Sequence, residues 1–179
     1  MKLLLHTCCG PCFIYPYRTL QDQGFEVAGY FYNPNIHPFS EYNNRRAAIE
    51  KIAQDVEAEV ISPEYDFEEF FWAIEKNTAS PARCKKCWQL RLIKTAECAK
   101  EKGYDSFSTT LLVSPYQDIE AIKEIGSSVA DNTGIQFHFQ DFRPGFKAAH
   151  QEARVKGIYC QKYCGCLYSE KERYQKKKK

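Results

Sequence analysis

The sequence predicts an α/β fold: a single domain with a mostly parallel sheet and helices on both of its faces. Three observations support this prediction. Strand-like segments alternate with helical ones, the connections between them are short, and no repeat or linker divides the 179 residues. The composition, 44% hydrophobic and 27% charged, is typical of one folded domain with a hydrophobic core. In such a fold the site lies at the carboxyl ends of the strands.

The first two strands frame the expected site. Lys2–Thr7 contains a run of leucines and is predicted to be a short buried strand. A helix is predicted from Pro11, which favours a first helical turn, and it ends before Gly24. Glu26–Tyr32, rich in Val, Tyr and Phe, is predicted to be the second strand. The prolines of Asn33–Pro38 predict a loop after it.

Two capping residues predict the next helices. Ser40 is expected to cap a helix that runs to about Glu57, and Ala58–Ile61 follows as a short third strand. Asp66 is expected to cap another helix, with Glu69 in the third position of a capping box.

The second half of the chain continues the alternation and ends in a cysteine-rich segment. A long helix is predicted over Pro81–Lys102, and Gly103 ends it. Gly157–Ser169 is expected to be irregular, so the single domain should span residues 1–170, with a basic, disordered tail over residues 171–179. The remaining predicted elements are a strand at 106–110, a helix at 118–132, a strand at 135–139 and a helix at 146–156.

Nine cysteines are the one anomaly of the composition. Their odd number excludes complete intramolecular pairing, and the leucine-rich start is too short for an export signal. No apolar stretch is long enough to cross a bilayer, so we expect no membrane contact. The expected compartment is the cytoplasm, where thiols stay reduced unless they bind metal or carry out redox chemistry.

Two cysteine motifs predict a metal centre. Cys84 and Cys87 lie one helical turn apart, a spacing found in zinc sites, iron–sulfur sites and redox dithiols. Two of the thiols of Cys8, Cys9 and Cys12, after the first strand, would complete a set of four. Adjacent cysteines diverge too far to reach one zinc ion easily, whereas each thiolate of a [4Fe–4S] cluster binds its own iron. The residues favour the cluster over zinc and leave open which two of the three thiols take part.

Cys164 and Cys166 form a third motif, with only Gly165 between them. A disulfide here would close a small, strained ring that is easily reduced, and glycine supplies the necessary backbone freedom. The pattern favours a redox pair, with two free loop thiols or a second metal site as alternatives. Cys98 lies in the middle of the predicted long helix and is expected to be a small residue of the protein core.

The other candidate residues carry weaker signals. His6 is expected to be a core histidine of the first strand. His37 lies in the loop after the second strand, where the site would form, and is a candidate catalytic residue. Arg45, Arg46 and Arg83 could bind phosphate, although a solvated position is the usual one for such residues.

The C-terminal part of the chain is basic. Residues 1–142 hold 14 basic and 20 acidic side chains, whereas residues 143–179 hold 11 basic and 3 acidic ones. A basic segment near aromatic side chains suits a polyanion such as RNA, whose unpaired bases stack on aromatic rings. The aromatic candidates are Phe31, Tyr32, Tyr42, Trp88, Tyr159, Tyr163 and Tyr168.

Four motifs, read together and in order, make a specific pattern. They are His6-Thr7-Cys8-Cys9-Gly10-Pro11-Cys12, Phe31-Tyr32-Asn33-Pro34-Asn35-Ile36-His37-Pro38, Arg83-Cys84-x-x-Cys87-x-x-Leu90-Arg91 and Gln161-Lys162-Tyr163-Cys164-Gly165-Cys166. In this pattern the chain resembles the QueH-type epoxyqueuosine reductases from residue 3 to about residue 170.

The resemblance implies a fold similar to the adenine-nucleotide α-hydrolase (HUP or PP-loop) fold. It implies reduction of the epoxide of epoxyqueuosine to queuosine at the wobble position of the tRNA anticodon, without cobalamin. Electrons would come from an external donor, and an additional mononuclear iron is implied without assigned ligands. The implied site residues are Cys8, Cys9, Cys84 and Cys87 for the [4Fe–4S] cluster and Cys164 and Cys166 for the redox-active pair.

Two other functions stay open from the sequence. One is a tRNA sulfur-transfer enzyme of the PP-loop type, although cysteines here occupy the loop that such enzymes use for pyrophosphate. The other is a zinc-stabilised RNA-binding module. The general acid, the oligomeric state and any metal-binding role of Cys12 or Cys160 also stay open.

Overall fold

Five parallel strands form the centre of the molecule. The computed structural model describes residues 1–175, and within them the strands form one sheet in the order β3-β2-β1-β4-β5. The strands are β1 Lys2–His6, β2 Glu26–Tyr30, β3 Val60–Ile61, β4 Ser106–Thr109 and β5 Gln136–Phe137. The helices are α1 Gly10–Asp22, α2 Phe39–Asp55, α3 Glu68–Ile74, α4 Ala82–Glu101, α5 Ile119–Thr133, α6 Phe146–Val155 and α7 Leu167–Tyr174, with 3-10 turns at Thr110–Val113 and Arg143–Gly145.

Strand β1 lies in the middle of the sheet and is buried on both faces. Leu3, Leu4 and Leu5 are fully buried, with β2 on one side and β4 on the other. Helix α1 packs with α2 and α6, while α4 packs with α3 and α5, so that two groups of helices cover the sheet. A parallel strand between two helical layers requires the continuous apolar sequence from which β1 was predicted.

The predicted helix starts are correct to within one or two residues. Asp118, the first residue of the helix predicted over 118–132, caps α5 by accepting a hydrogen bond from a backbone N–H of the first turn. Ser40 does not cap α2, because Pro38 already provides the extended residue before the helix. Asp66 lies just outside α3, where its carboxylate accepts a hydrogen bond from the N–H of Glu68 at 2.8 Å.

The predicted start of a disordered tail at residue 171 is wrong, because α7 continues through Tyr174. The buried Arg83 of α4 fixes this helix by pairing with Glu172 at 2.8 Å, and its guanidinium lies 5.3 Å from the ring centre of Tyr168. The paired residues are 89 positions apart, so local sequence does not predict their contact. Residues 176–179 of the predicted tail lie outside the described residues.

The length and hydropathy of the helices bear on whether any of them could cross a membrane. Of the helices within residues 1–175, none combines the length and the apolar character that crossing a bilayer requires.

Gly10 begins α1 in close contact with α2. A Cβ at this position would lie 2.8 Å from the carbonyl oxygen of Ala48, an atom that cannot rotate away. We expect Gly10→Ala to lower the free energy of unfolding by about 1–3 kcal/mol, measured by urea denaturation. Ser127→Ala, on the exposed surface of α5, is the control and should change it by less than about 0.5 kcal/mol. Equal stability of the two variants would contradict this packing.

Candidate metal and redox site

Three loops meet at the carboxyl edge of the sheet. Cys8, after β1, donates its N–H to Thr110 Oγ1 at 3.1 Å, and that hydroxyl donates to Cys8 Sγ at 3.4 Å. Asn33, after β2, donates a side-chain N–H to the carbonyl oxygen of Thr7 at 2.8 Å. The parallel strands therefore deliver the cysteine loop to the edge where the sequence predicted a site.

His6 is a buried structural histidine, as the sequence predicted. Its Nε2 lies 3.2 Å from the carbonyl oxygen of Tyr32, which can only accept, so Nε2 carries the proton. Its Nδ1 then accepts from the hydroxyl of Thr109 at 2.9 Å. Burial lowers the pKa of His6 to about 3, so the ring is neutral at physiological pH and joins β1, β2 and β4.

Cys8, Cys9 and Cys12 form a thiol cluster whose sulfurs all lie within 4.8 Å of one another. Hydrogen bonds from the Cys12 and Cys9 thiols lower the pKa of Cys8. Burial raises the pKa of Cys9, and the hydrogen bond to Cys8 raises that of Cys12. Three sulfurs this close, with one favouring the thiolate, could bind a metal. Cys12, whose role the sequence left open, belongs to this cluster.

A second group of four thiols lines one cavity. Cys84 and Cys87, in the first two turns of α4, face it together with Cys164 and Cys166 of the C-terminal segment. Burial raises the pKa of Cys87 to about 12. Cys164 is an exposed residue, but its sulfur faces the cavity, where desolvation raises the pKa of its thiol. The structure thus places the predicted ligand motif directly beside the predicted redox pair, a proximity that the sequence did not predict.

Arg91 is a buried cation between the two thiol groups. It is 1% exposed and lines the cavity, and its charge acts on Cys87, Cys164 and Cys8. Among residues 1–175 it forms no ion pair, and its Nη2 has no hydrogen-bond partner. A buried charge without a counterion is costly, so this arginine calls for anions nearby. Thiolates that bind an iron–sulfur cluster carry the required negative charge, and the residues fit such a group.

The four cluster ligands implied by the resemblance are divided between the two thiol groups. Within residues 1–175 the thiol cluster is the only set of three or more ligand-type side chains whose atoms all lie within 4.8 Å. Cys8 and Cys9 belong to it, whereas Cys84 and Cys87 lie on the cavity. Arg91 lines the cavity and also interacts electrostatically with Cys8 of the thiol cluster, so the two halves of the expected ligand set act on the same buried charge.

His37 lies close to the backbone of the C-terminal segment. Its ring packs against those of Phe70 and Phe71, with ring centres 5.3 Å and 5.2 Å away. Both ring nitrogens are buried and have no partner within the described part of the chain. Burial lowers the pKa of His37 to about 4, so the imidazole is neutral at physiological pH. Its backbone N–H donates to the carbonyl oxygen of Gly165 at 2.8 Å.

Two of the three arginines that could have bound phosphate are buried. Arg83 pairs with Glu172, and Arg45 pairs with Glu41 at 2.7 Å. Both hold the C-terminal segment in place through contacts between distant parts of the chain. Arg46 is exposed, as expected, and lies 3.5 Å from Glu50 of the next helical turn.

Two glutamines contact sulfur atoms, and sequence patterns gave them no role. Gln161 donates its amide N–H to Cys9 Sγ at 2.9 Å. Gln117 Nε2 lies 3.8 Å from Cys164 Sγ, and Trp88 orients this amide by donating to its oxygen at 3.1 Å. Gln161 lies within one of the four motifs, which was the only signal available for it.

Comparison with known proteins assigns this arrangement to a family. The family model for "Epoxyqueuosine reductase QueH" matches residues 3–172. The chain belongs to the QueH family. The epoxyqueuosine reductase QueH of Dehalococcoides mccartyi is 39% identical over 176 residues, which cover 98% of this chain and 96% of the relative. That of Thermotoga maritima is 38% identical over 184 residues, which cover 97% of this chain and 93% of the relative.

A solved structure has the same fold as this QueH-family chain. It is described as a predicted subunit of tRNA methyltransferase from Methanocaldococcus jannaschii. The TM-score is 0.58 at 13% sequence identity, over 86% of this chain and 74% of the other. At this identity the likeness concerns the fold alone. It supports the predicted α/β architecture.

Membership in the QueH family confirms the resemblance carried by the four motifs and makes the chain an oxidoreductase. The chain is therefore assigned to neither of the two alternatives, the tRNA sulfur-transfer enzymes and the zinc-stabilised RNA-binding modules. All nine cysteines are free thiols, so the structure describes the reduced form of Cys164 and Cys166.

Proposed function

We propose that this chain reduces the epoxide of epoxyqueuosine in tRNA to queuosine, using a [4Fe–4S] cluster and a cysteine pair and no cobalamin. The names of the relatives support the reaction. The observation that carries the proposal is the cavity on which the two cysteines of α4 face the two cysteines of the C-terminal segment. This arrangement supports the proposal, because it would bring a dithiol within reach of the proposed metal centre.

Cys8, Cys9, Cys84 and Cys87 are the proposed ligands of the cluster. When bound, a [4Fe–4S] cluster transfers single electrons at low potential. Arg91 offsets the negative charge of the thiolates, and the Gln161 amide donates to one of them. The proposal also includes a mononuclear iron near the cluster, without assigned ligands.

Cys164 and Cys166 are proposed to supply the two electrons and two protons that the reaction consumes. Converting an epoxide to an alkene removes one oxygen as water and requires two electrons and two protons. Oxidation of two thiols to a disulfide releases two electrons and two protons, so the balance closes. Burial raises the pKa of Cys164, so this thiol keeps its proton at neutral pH until it is oxidised. An external donor must then reduce the disulfide before the next turnover.

His37 is proposed as a catalytic residue that transfers a proton near this pair. It is neutral at physiological pH, because burial lowers its pKa to about 4. A neutral imidazole donates with one nitrogen and accepts with the other, and both nitrogens are without partners in the described structure. Its backbone contact with Gly165 holds it beside the pair.

The proposed substrate is the anticodon loop of a tRNA in the cytoplasm. The relatives are named for a nucleoside of tRNA, and the basic character of residues 143–179 suits a polyanion. Lys162, Lys171 and Arg173 are exposed on the segment that carries the redox pair. Unpaired bases of such a loop can leave the stack and enter an active site.

Anaerobic purification tests the proposal. We expect a brown protein with a broad absorption near about 400 nm and about four iron and four sulfide ions per chain. With a chemical reductant and no cobalamin, it should convert epoxyqueuosine in tRNA to queuosine, measured by mass spectrometry of the nucleosides. The same tRNA without the epoxide is the control. Stoichiometric zinc without sulfide, or a requirement for cobalamin, would contradict the proposal.

A further inference from the structure

We infer that Arg45 is a positioning residue that holds the turn Cys164–Gly165–Cys166 in the conformation in which its two thiols become a disulfide. This inference rests on the proposed redox role of the pair. The turn, called the redox turn from here on, lies between helix α2, which carries Arg45, and the loop after β2.

The guanidinium of Arg45 binds the C-terminal segment directly. The side chain is 1% exposed, and two of its nitrogens donate to consecutive carbonyl oxygens: Nη1 to that of Cys164 at 2.9 Å and Nη2 to that of Tyr163 at 3.0 Å. The same group lies 5.6 Å from the ring centre of Tyr163. A planar fork of this kind fixes two carbonyls at once, which a lysine cannot do.

Glu41 fixes the arginine in turn. Its Oε1 accepts from Arg45 Nε at 2.7 Å, and its Oε2 accepts a hydrogen bond from the hydroxyl of Tyr159. The carboxylate is 7% exposed, so the ion pair is shielded from water. Arg45 therefore has one orientation, set by α2 itself and by the start of the C-terminal segment.

The other side of the redox turn is held as well. The carbonyl oxygen of Gly165 accepts from the N–H of His37 at 2.8 Å, and the hydroxyl of Tyr163 donates to the carbonyl oxygen of His37. Gly165 has φ +138°, and a Cβ there would lie 3.1 Å from Ile36. The backbone on both sides of the redox turn is thus bound to rigid neighbours.

The hydrogen bonds that Arg45 makes to the redox turn and to Glu41, called the clamp from here on, affect how readily the two thiols form a disulfide. Disulfide formation joins the two sulfurs, releases two electrons to an oxidant and frees two protons. A turn that is already ordered as the dithiol loses little conformational freedom when the small ring closes. Without the clamp the dithiol gains freedom, so the disulfide becomes less stable relative to the dithiol.

The test is the equilibrium of the redox turn with a glutathione couple, in the cluster-loaded protein under anaerobic conditions. Oxidised glutathione accepts the two electrons and two protons and becomes two glutathione molecules. Alkylation followed by peptide mass spectrometry gives the disulfide fraction. We expect Arg45→Met to lower the equilibrium constant for the disulfide about tenfold, with unchanged iron and sulfide content. Arg45→Lys should restore part of the loss, because it can reach one carbonyl.

Arg46→Met is the matched control, because this neighbouring arginine is exposed and pairs with Glu50 on the surface of α2. It should leave the equilibrium constant unchanged. If Arg45→Met does not fold, Tyr159→Phe loosens the same clamp and should lower the constant about two- to threefold. A wild-type constant in the folded Arg45→Met or in Tyr159→Phe overturns the inference. A wild-type protein that forms no disulfide within the redox turn contradicts the proposed redox pair instead.

Discussion

Replacing Cys84 or Cys87 by serine is expected to remove the iron and sulfide from the protein and to lower reductase activity to below about 1% of wild type. Both side chains lie in the first two turns of α4 and line the cavity, outside the strands of the central sheet. The free energy of unfolding should change by less than about 1.5 kcal/mol. Metal and sulfide analysis, urea denaturation and the tRNA assay measure the three quantities.

Cys98→Ser is the matched control for this pair of variants. Cys98 is a buried cysteine of the same helix and lies outside the cavity and the thiol cluster. Its replacement should leave iron, sulfide and turnover at wild-type levels. Unfolding of the whole domain in Cys84→Ser and Cys87→Ser would indicate a structural metal instead of a redox cofactor.

Replacing Cys164 or Cys166 by serine is expected to separate electron storage from cluster binding. Turnover should fall to below about 1% of wild type, because one thiol alone cannot store two electrons. Iron and sulfide should stay at the wild-type level, because other cysteines are the proposed ligands. Single-turnover assays on tRNA and metal analysis of the same preparations measure both.

Cys160→Ser is the control in the same segment. The sulfur of Cys160 donates a hydrogen bond to the carbonyl oxygen of Ile158 at 3.5 Å and belongs neither to the thiol cluster nor to the cavity lining, so its loss should leave turnover intact. Loss of iron from either Cys164→Ser or Cys166→Ser would show that the proposed ligand set is wrong, since both sulfurs share the cavity with Cys84 and Cys87.

The sequence predicted those parts of the fold that depend on local patterns. The leucines of β1 indicated a buried strand, and the loop that follows it indicated the site. The CxxC motif was predicted on a helix, where α4 has it. In each case the prediction depended on residues that are close to one another in the sequence.

The contacts made by the C-terminal segment could not be predicted in this way. Arg45 and Arg83 were expected in solvent because charged residues usually lie there. They are buried because residues 158–174 fold back over α2 and α4 and bring carbonyl, aromatic and carboxylate partners. A residue pattern along one helix contains no information about a segment more than 80 positions away.

The placement of the redox turn also has a consequence for biosynthesis. The thiol cluster begins at Cys8, while the cavity needs Cys164 and Cys166, more than 150 positions later. A ribosome must therefore translate through Cys166 before the site can assemble. Cofactor delivery should act only after that point, and nascent chains released earlier should carry exposed, unprotected thiols.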